Sequence, residues 1–373
     1  MTHKILVAAL AALFALHSGV ASAATSTSRT SAKASVAAES ASAKAAPKKK
    51  AAAKPGTRAK RVSKALSAKK AVKASARRVA VRSKQAAAVA AVAPAAALAS
   101  AADEVDEALA LDAKGMPVLG SNAFYVMNPH TGEVLLERNA TSVLPIASIT
   151  KLMTAMVVLE SAQPLSEPLV INEGDIDRLK GTGSRLALGT TLTREDMLQL
   201  ALMSSENRAA SALARNYPGG EAAFVEAMNV KARLLGLWDT RFHDSTGLNP
   251  ANVSSPRDLA KLVAASASFP LIREFSTAPE RHVDINGRLL RFGNTNGLVR
   301  SPEWAISVSK TGYISEAGRC LVMQTWLQQQ PVVMVLMDSQ GRYTRTADAK
   351  RVRKWLEQTA TQRVATAPQR FGG

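Results

Sequence analysis

Strand-like patterning occupies both ends of the foldable part of this chain and helix-like patterning its middle, and that order restricts the available topologies severely. Residues 124–127 (Phe-Tyr-Val-Met), a turn through Asn128-Pro129-His130-Thr131-Gly132, and Val134-Leu135-Leu136 read as a hairpin. A helix is expected from Ser148 to about Ala162, and a second from Thr193 through Ala201, with Thr193 and Asp196 as its N-cap pair. Helical pattern continues over residues 208–215, and Ser255-Pro256 opens another helix through Val263. After Arg281 the pattern returns to strands over 282–292, 305–312, 318–327 and 332–337, and residues 347–362 close the chain as an amphipathic helix. An antiparallel sheet drawn from both chain ends, with the helical insert packed against it, satisfies this order. The expected fold class is therefore α+β, with any site at the seam between sheet and insert.

Composition sets where that fold begins. Residues 24–111 are mostly Ala, Lys, Arg, Ser and Val without one aromatic side chain. Such a segment cannot bury enough apolar area to offset chain entropy, so disorder or transient helix is expected. Residues 29–84 carry 18 Lys/Arg against the single acid Glu39, which accounts for nearly all of the formal charge of +19. The chain thus reads as a near-neutral domain behind a polycation. Residues 1–23 read as a secretory leader: Lys4, an apolar stretch from Ile5 to Leu16, and Ala21-Ser22-Ala23 as the cleavage pattern, with an uncleaved anchor as the alternative. Export to the periplasm removes nucleic acid as a partner for the tail. An anionic envelope polymer or the membrane surface offers the same attraction, and a plain solvated spacer is the other reading. The expected organisation is leader 1–23, basic tail 24–111, catalytic domain 112–363 and a disordered C-terminus 364–373. Cys320 is the only cysteine and lies in an apolar run, so it reads as a small buried hydrophobe.

Three short motifs carry the chemistry: Ser148-Ile149-Thr150-Lys151, Ser205-Glu206-Asn207 and Lys310-Thr311-Gly312. The spacing Ser-x-x-Lys also occurs at Ser67/Lys70 and Ser307/Lys310. The first of these lies in the tail, and the second in a strand, where residues three apart face opposite sides. Only Ser148 opens a helix, which places Lys151 beside it one turn on. A serine hydroxyl is a poor nucleophile until a neighbour takes its proton, and a lysine does so only when neutral. Burial, a helix N-terminus and a second cation would each favour the neutral amine, and Lys310 is the obvious second cation. Strand alternation puts Lys310 on the side of Ile306 and Val308. Gly312 keeps that parity and leaves room for a substrate backbone along the strand edge.

Together the motifs resemble those of the penicillin-binding proteins, the serine D-Ala-D-Ala peptidases. The segments 145–154 and Lys310-Thr311-Gly312-Tyr313 are especially similar to the low-molecular-mass members. The resemblance covers about residues 121–362 and implies a β-lactamase/penicillin-binding-protein-like fold that uses no cofactor and no metal. It implies Ser148 as the acylated nucleophile, Lys151 as general base, and Ser205 as proton relay to the leaving amine. Asn207 would bind the substrate amide, Lys310 and Thr311 its terminal carboxylate, and the backbone N–H groups of Ser148 and Tyr313 would form the oxyanion hole. Its substrates would be peptidoglycan peptides, with β-lactams as covalent inhibitors. Asp244 is the nearest candidate for a separate deacylating base, but its expected role is to hold the loop Asp244-Ser245-Thr246-Gly247. Only 63 residues follow Lys310. That shortness resembles the family's D-alanyl-D-alanine endopeptidases, with a carboxypeptidase or a non-catalytic envelope-binding protein as the competing readings. His130, His243 and His282 stand outside any His-Glu-x-x-His or Gly-x-Ser-x-Gly context and are read as surface or core residues.

Overall fold

The computed structural model describes residues 109–366. The expected leader, the basic tail as far as residue 108 and the chain from 367 onward lie outside the described residues. In chain order the elements are β1 (Ser121–Met127), β2 (Val134–Arg138), β3 (Leu144–Pro145), α1 (Lys151–Glu160), β4 (Pro168–Val170), β5 (Thr191–Thr193), α2 (Arg194–Met203), α3 (Asn207–Arg215) and α4 (Gly220–Leu234). Then come β6 (Val253–Ser254), α5 (Pro256–Ser266), α6 (Pro270–Thr277), β7 (Glu280–Ile285), β8 (Arg288–Gly293), β9 (Ala305–Ile314), β10 (Gly318–Leu327), β11 (Gln330–Ser339) and α7 (Thr344–Thr366).

Five strands form one antiparallel sheet in the order β2-β1-β11-β10-β9, so both ends of the described chain do build it. Successive residues of the central strands enter two different cores, as strand alternation requires. Cys320, Val322, Val333, Val335 and Met337 face the helical insert, where they share a core with Leu152, Met153 and Met156 of α1 and Leu259 and Leu262 of α5. Leu321, Met323, Met334 and Leu336 face the other way, against Ala349 and Val352 of α7. With both faces covered, β10 and β11 read as continuous apolar runs rather than as alternating ones. Helix α1 is buried over its first eight residues, Lys151 to Val158, and so forms the centre of the insert.

Local signals explain most boundaries. Thr193 accepts a hydrogen bond from the Asp196 N–H (3.1 Å), and Ser255 caps α5 with Pro256 at its first turn, both as expected. Helix α7 is tied to the start of the sheet by Asp348, whose carboxylate accepts from the N–H groups of Gly120 (3.0 Å) and Ser121 (2.8 Å) and from the Ser121 hydroxyl (2.6 Å).

The structure departs from the pattern in three places. The run 282–292 is not one strand of the main sheet but the separate hairpin β7–β8, turned at Asn286-Gly287, where both residues have positive φ. Helices α4 and α6 occupy stretches for which no helix was expected. Strand β9 carries an extra residue: Val308 pairs with Gln324 but Ile306 with Thr325. Ile306 is thereby turned to the α7 face, so Lys310 shares its side with Val308 and Ile314 instead.

Candidate active site

Ser148 sits in a single 3₁₀ turn, Ala147–Thr150, that feeds into α1, rather than in the α-helix itself. Ala147 has φ +48°, a left-handed conformation that a non-glycine residue holds only when its surroundings over-determine it. Those surroundings are three. Thr150 Oγ1 donates to the Ala147 carbonyl (2.8 Å), and Asn252 Nδ2 donates to Thr150 Oγ1 (3.0 Å). Gly247, itself at φ +81°, lies so close that a Cβ there would stand 1.9 Å from the Ala147 oxygen. On the opposite side a Cβ on Gly312 would meet the Ile146 oxygen at 3.0 Å, Ala147 Cβ at 3.1 Å and the Ser148 nitrogen at 3.2 Å. The missing side chain at Gly312 therefore lets β9 close onto the turn that carries Ser148.

Lys151 is 1 % exposed, with its Nζ at 3.0 Å from Ser148 Oγ, 2.7 Å from Asn207 Oδ1 and 2.7 Å from the Thr246 carbonyl. Two of these three neighbours can only accept. A neutral amine has two N–H bonds and one lone pair. With both hydrogens given to Asn207 and Thr246, the lone pair is left for the Ser148 hydroxyl. Burial lowers the Lys151 ammonium from its ordinary 10.5 to about 7, against the opposing pull of Asp244 and Glu206. Asp244 itself is spoken for: Oδ1 accepts from the N–H groups of Thr246 (3.0 Å) and Gly247 (2.6 Å), and Oδ2 from that of Asn249 (2.9 Å). It holds the loop that supplies the Thr246 carbonyl, as the sequence suggested.

A second serine–lysine pair stands beside the first. Ser205 lies between α2 and α3 at φ +61°, and its Oγ accepts from Lys310 Nζ at 2.9 Å. Lys310 is also 1 % exposed. Burial first, then the charges of Lys151 and Arg345, hold it well below the ordinary lysine value. Thr311 Oγ1 donates to Thr295 Oγ1 (2.7 Å), and Tyr313 points outward, 57 % exposed, with the Arg319 guanidinium over its ring. All three motifs thus converge on one cleft at the seam of sheet and insert. The basic group beside the Ser148 hydroxyl is a lysine; His130 packs edge-on against Trp326.

Several contributors were not singled out by sequence. The Thr246 carbonyl and Asn252 act through a loop whose register no motif reveals. Thr182 accepts from Asn207 Nδ2 (3.0 Å) and so fixes which way that amide faces. Glu206, 8 % exposed, accepts from the Ser184 hydroxyl (2.7 Å). Arg345, far along the chain in α7, keeps Nη1 buried without a hydrogen-bond partner and lies near enough for its charge to act on Lys310.

An antiparallel sheet flanked by helices, with a buried amine 3.0 Å from a serine hydroxyl, is the arrangement of a serine hydrolase. The chain matches the family model described as D-alanyl-D-alanine carboxypeptidase (peptidase S11) over residues 112–341, and it belongs to that family. It is 50 % identical over 248 residues to the D-alanyl-D-alanine endopeptidase of Pseudomonas aeruginosa, covering 65 % of this chain and 80 % of that protein. It is 46 % identical over 255 residues to the Escherichia coli protein of the same name, covering 68 % and 82 %. Among solved structures it resembles penicillin-binding protein D2 from Listeria monocytogenes in the cefotaxime-bound form, with TM-score 0.55 and 28 % identity over 64 % of this chain and 97 % of the other.

Proposed function

We propose that this protein is a D-alanyl-D-alanine endopeptidase that hydrolyses peptide cross-links of peptidoglycan through an acyl-enzyme on Ser148. The observation that carries this reading is the 3.0 Å approach of Lys151 Nζ to Ser148 Oγ in a buried site that favours the neutral amine. Ser148 attacks the D-Ala carbonyl while its proton passes to Lys151. The oxyanion meets the backbone N–H groups of Ser148 and Tyr313, which the close packing of Gly312 on the turn would bring together. Ser205, bonded to Lys310, returns a proton to the departing amine. Asn207 binds the substrate amide. Lys310, Thr311 and the unpaired Nη1 of Arg345 receive the carboxylate next to the scissile bond.

Binding of that carboxylate also orders the two lysines. It supplies a counter-charge to Lys310, which then carries the proton, and Lys151 stays neutral beside the nucleophile. Water completes the cycle with Lys151 as base. Asp244, engaged by its own loop, is not free to act as a second base. An ester formed with a β-lactam should consequently persist, and these drugs are expected to inhibit rather than be destroyed.

The endopeptidase choice rests on the 50 % and 46 % identical relatives, both of which bear the name D-alanyl-D-alanine endopeptidase. A carboxypeptidase is the second reading, because the matching family carries that description. Digestion of purified muropeptides separates them: cross-linked dimers converted to monomers supports the first, and free D-alanine from uncrosslinked pentapeptides as the main product overturns it. Mass spectrometry of the penicillin adduct tests the nucleophile, with Ser148→Ala expected to take up no label. The leader would place the enzyme in the periplasm, where residues 29–84 would hold it to an anionic polymer or the membrane surface. Among the described residues no helix is long and apolar enough to cross a membrane. Cosedimentation with cell wall at low salt, with and without residues 24–111, tests the tether against the simple spacer.

A further inference from the structure

The cleft is closed into a ring by a contact that takes no part in the chemistry. From Ser148 the ring runs through Lys151 to Asn207, and from the Asn207 amide to Thr182 (3.0 Å) in the loop 177–184. That loop is a tight one. Asp177 accepts from the N–H groups of Leu179 and Lys180 (both 2.9 Å) and from the N–H (2.8 Å) and hydroxyl (2.7 Å) of Thr182. Its Lys180 forms an ion pair with Glu316, which lies in the turn between β9 and β10 and also accepts from the Ser315 hydroxyl (2.7 Å). From Glu316 the strand returns through Tyr313 to Gly312, whose Cα abuts the Ser148 amide. The nucleophile therefore lies inside a closed loop of contacts. Every link except Lys180–Glu316 is covalent, buried, or made by a residue of the three motifs.

On the proposed reaction, a peptide with its carboxylate at Lys310 and Thr311 lies along the free edge of β9. Its acyl-donor stem then runs toward the Glu316 turn, where Lys180 meets Glu316. We propose that the Lys180–Glu316 pair is a latch across the donor stem's path, which sorts substrates by the bulk of the donor side. Among the described residues no other side-chain hydrogen bond or ion pair joins these two loops, and the pair is partly exposed, with side chains 24 % and 40 % accessible. An exposed ion pair shifts an open–closed balance by only about twofold to fivefold, which suits a latch that opens in each turnover. A small β-lactam passes beneath it; a donor stem still attached to glycan requires it to part.

This inference rests on the proposed function, and the test separates the two. The full chain, Lys180→Met, Glu316→Gln and the charge swap Lys180→Glu/Glu316→Lys are compared by kcat/KM on a glycan-linked cross-linked dimer and by the rate of acylation with benzylpenicillin. Each single variant should raise dimer cleavage about twofold to fivefold while leaving penicillin acylation unchanged, and the swap should return to the wild-type ratio. Salt near 1 M, where screening reaches down to roughly 3 Å, should raise wild-type dimer cleavage and leave the single variants unmoved. Equal changes in both reactions, or dimer cleavage that falls while acylation holds, overturn the latch. A wild type that forms no penicilloyl adduct on Ser148 overturns the proposed function, whereas an adduct formed with an unmoved ratio overturns the latch alone.

Discussion

Among the polar clusters buried in the described residues, two follow opposite electrostatic rules. At the junction of α7 and β1, the Asp348 carboxylate is 0 % exposed, but two backbone N–H groups, the Ser121 hydroxyl and Arg351 (3.0 Å) surround it with donors. At the seam, Lys151 and Lys310 are buried just as fully, but Asp244 and Glu206 offset only part of the burial of Lys151, and Lys310 faces the positive charges of Lys151 and Arg345. The first cluster satisfies its charge and fastens the last helix to the first strand. The second leaves charge unsatisfied and so keeps an amine neutral where chemistry needs it. Burial of an ionisable group does not itself distinguish the two; how far its neighbours offset that burial does.

Substitutions that exchange these roles should separate stability from activity. The largest effect is expected from Lys151→Met, which should slow penicillin acylation by roughly a thousandfold while the protein stays folded. The same variant should also stabilise the fold, in a pH-dependent way. The native Lys151 titrates near 7 and the unfolded one near 10.5, so the native state bears the cost of a buried ammonium below pH 7 and sheds it as pH rises. Thermal melts should therefore show the gain of Lys151→Met at about pH 6 and its loss toward about pH 10; a gain independent of pH would contradict the assignment. Asp348→Asn should do the reverse, lowering stability by about 3 kcal/mol in urea titrations while leaving the acylation rate of the folded fraction intact. Smaller still is Gly312→Ala. Its added methyl presses on the backbone of the nucleophile turn, and acylation should fall about tenfold with little change in melting temperature.

How much of this was legible before the structure follows the same division. Ser148, Lys151, Ser205, Asn207 and Lys310 were readable because side-chain type and spacing carry their chemistry, and the structure brings them to one cleft. The sheet assembled from both ends was readable from periodicity. What escaped is carried by backbone or by long range. The Thr246 carbonyl has no side-chain signature, and Arg345 is one arginine among many until α7 brings it beside Lys310. The inserted residue in β9, which turns Ile306 away from Lys310, cannot be seen in alternation alone because it breaks the alternation. Helix α4 was missed although Phe224, Met228 and Ala232, its buried positions, recur every fourth residue. Asn286-Gly287 likewise marks the β7–β8 turn inside a run taken as one strand.

The neutral state of Lys151 is the claim on which the catalytic account stands, and the pH dependence of penicillin acylation reports on it most directly. From about pH 5 to about pH 9 the second-order rate constant should rise and level off with an inflexion near 7, and the label should map to Ser148 throughout. A rate that is flat across that range, or one that falls as the amine loses its proton, would show that Lys151 does not act as the base.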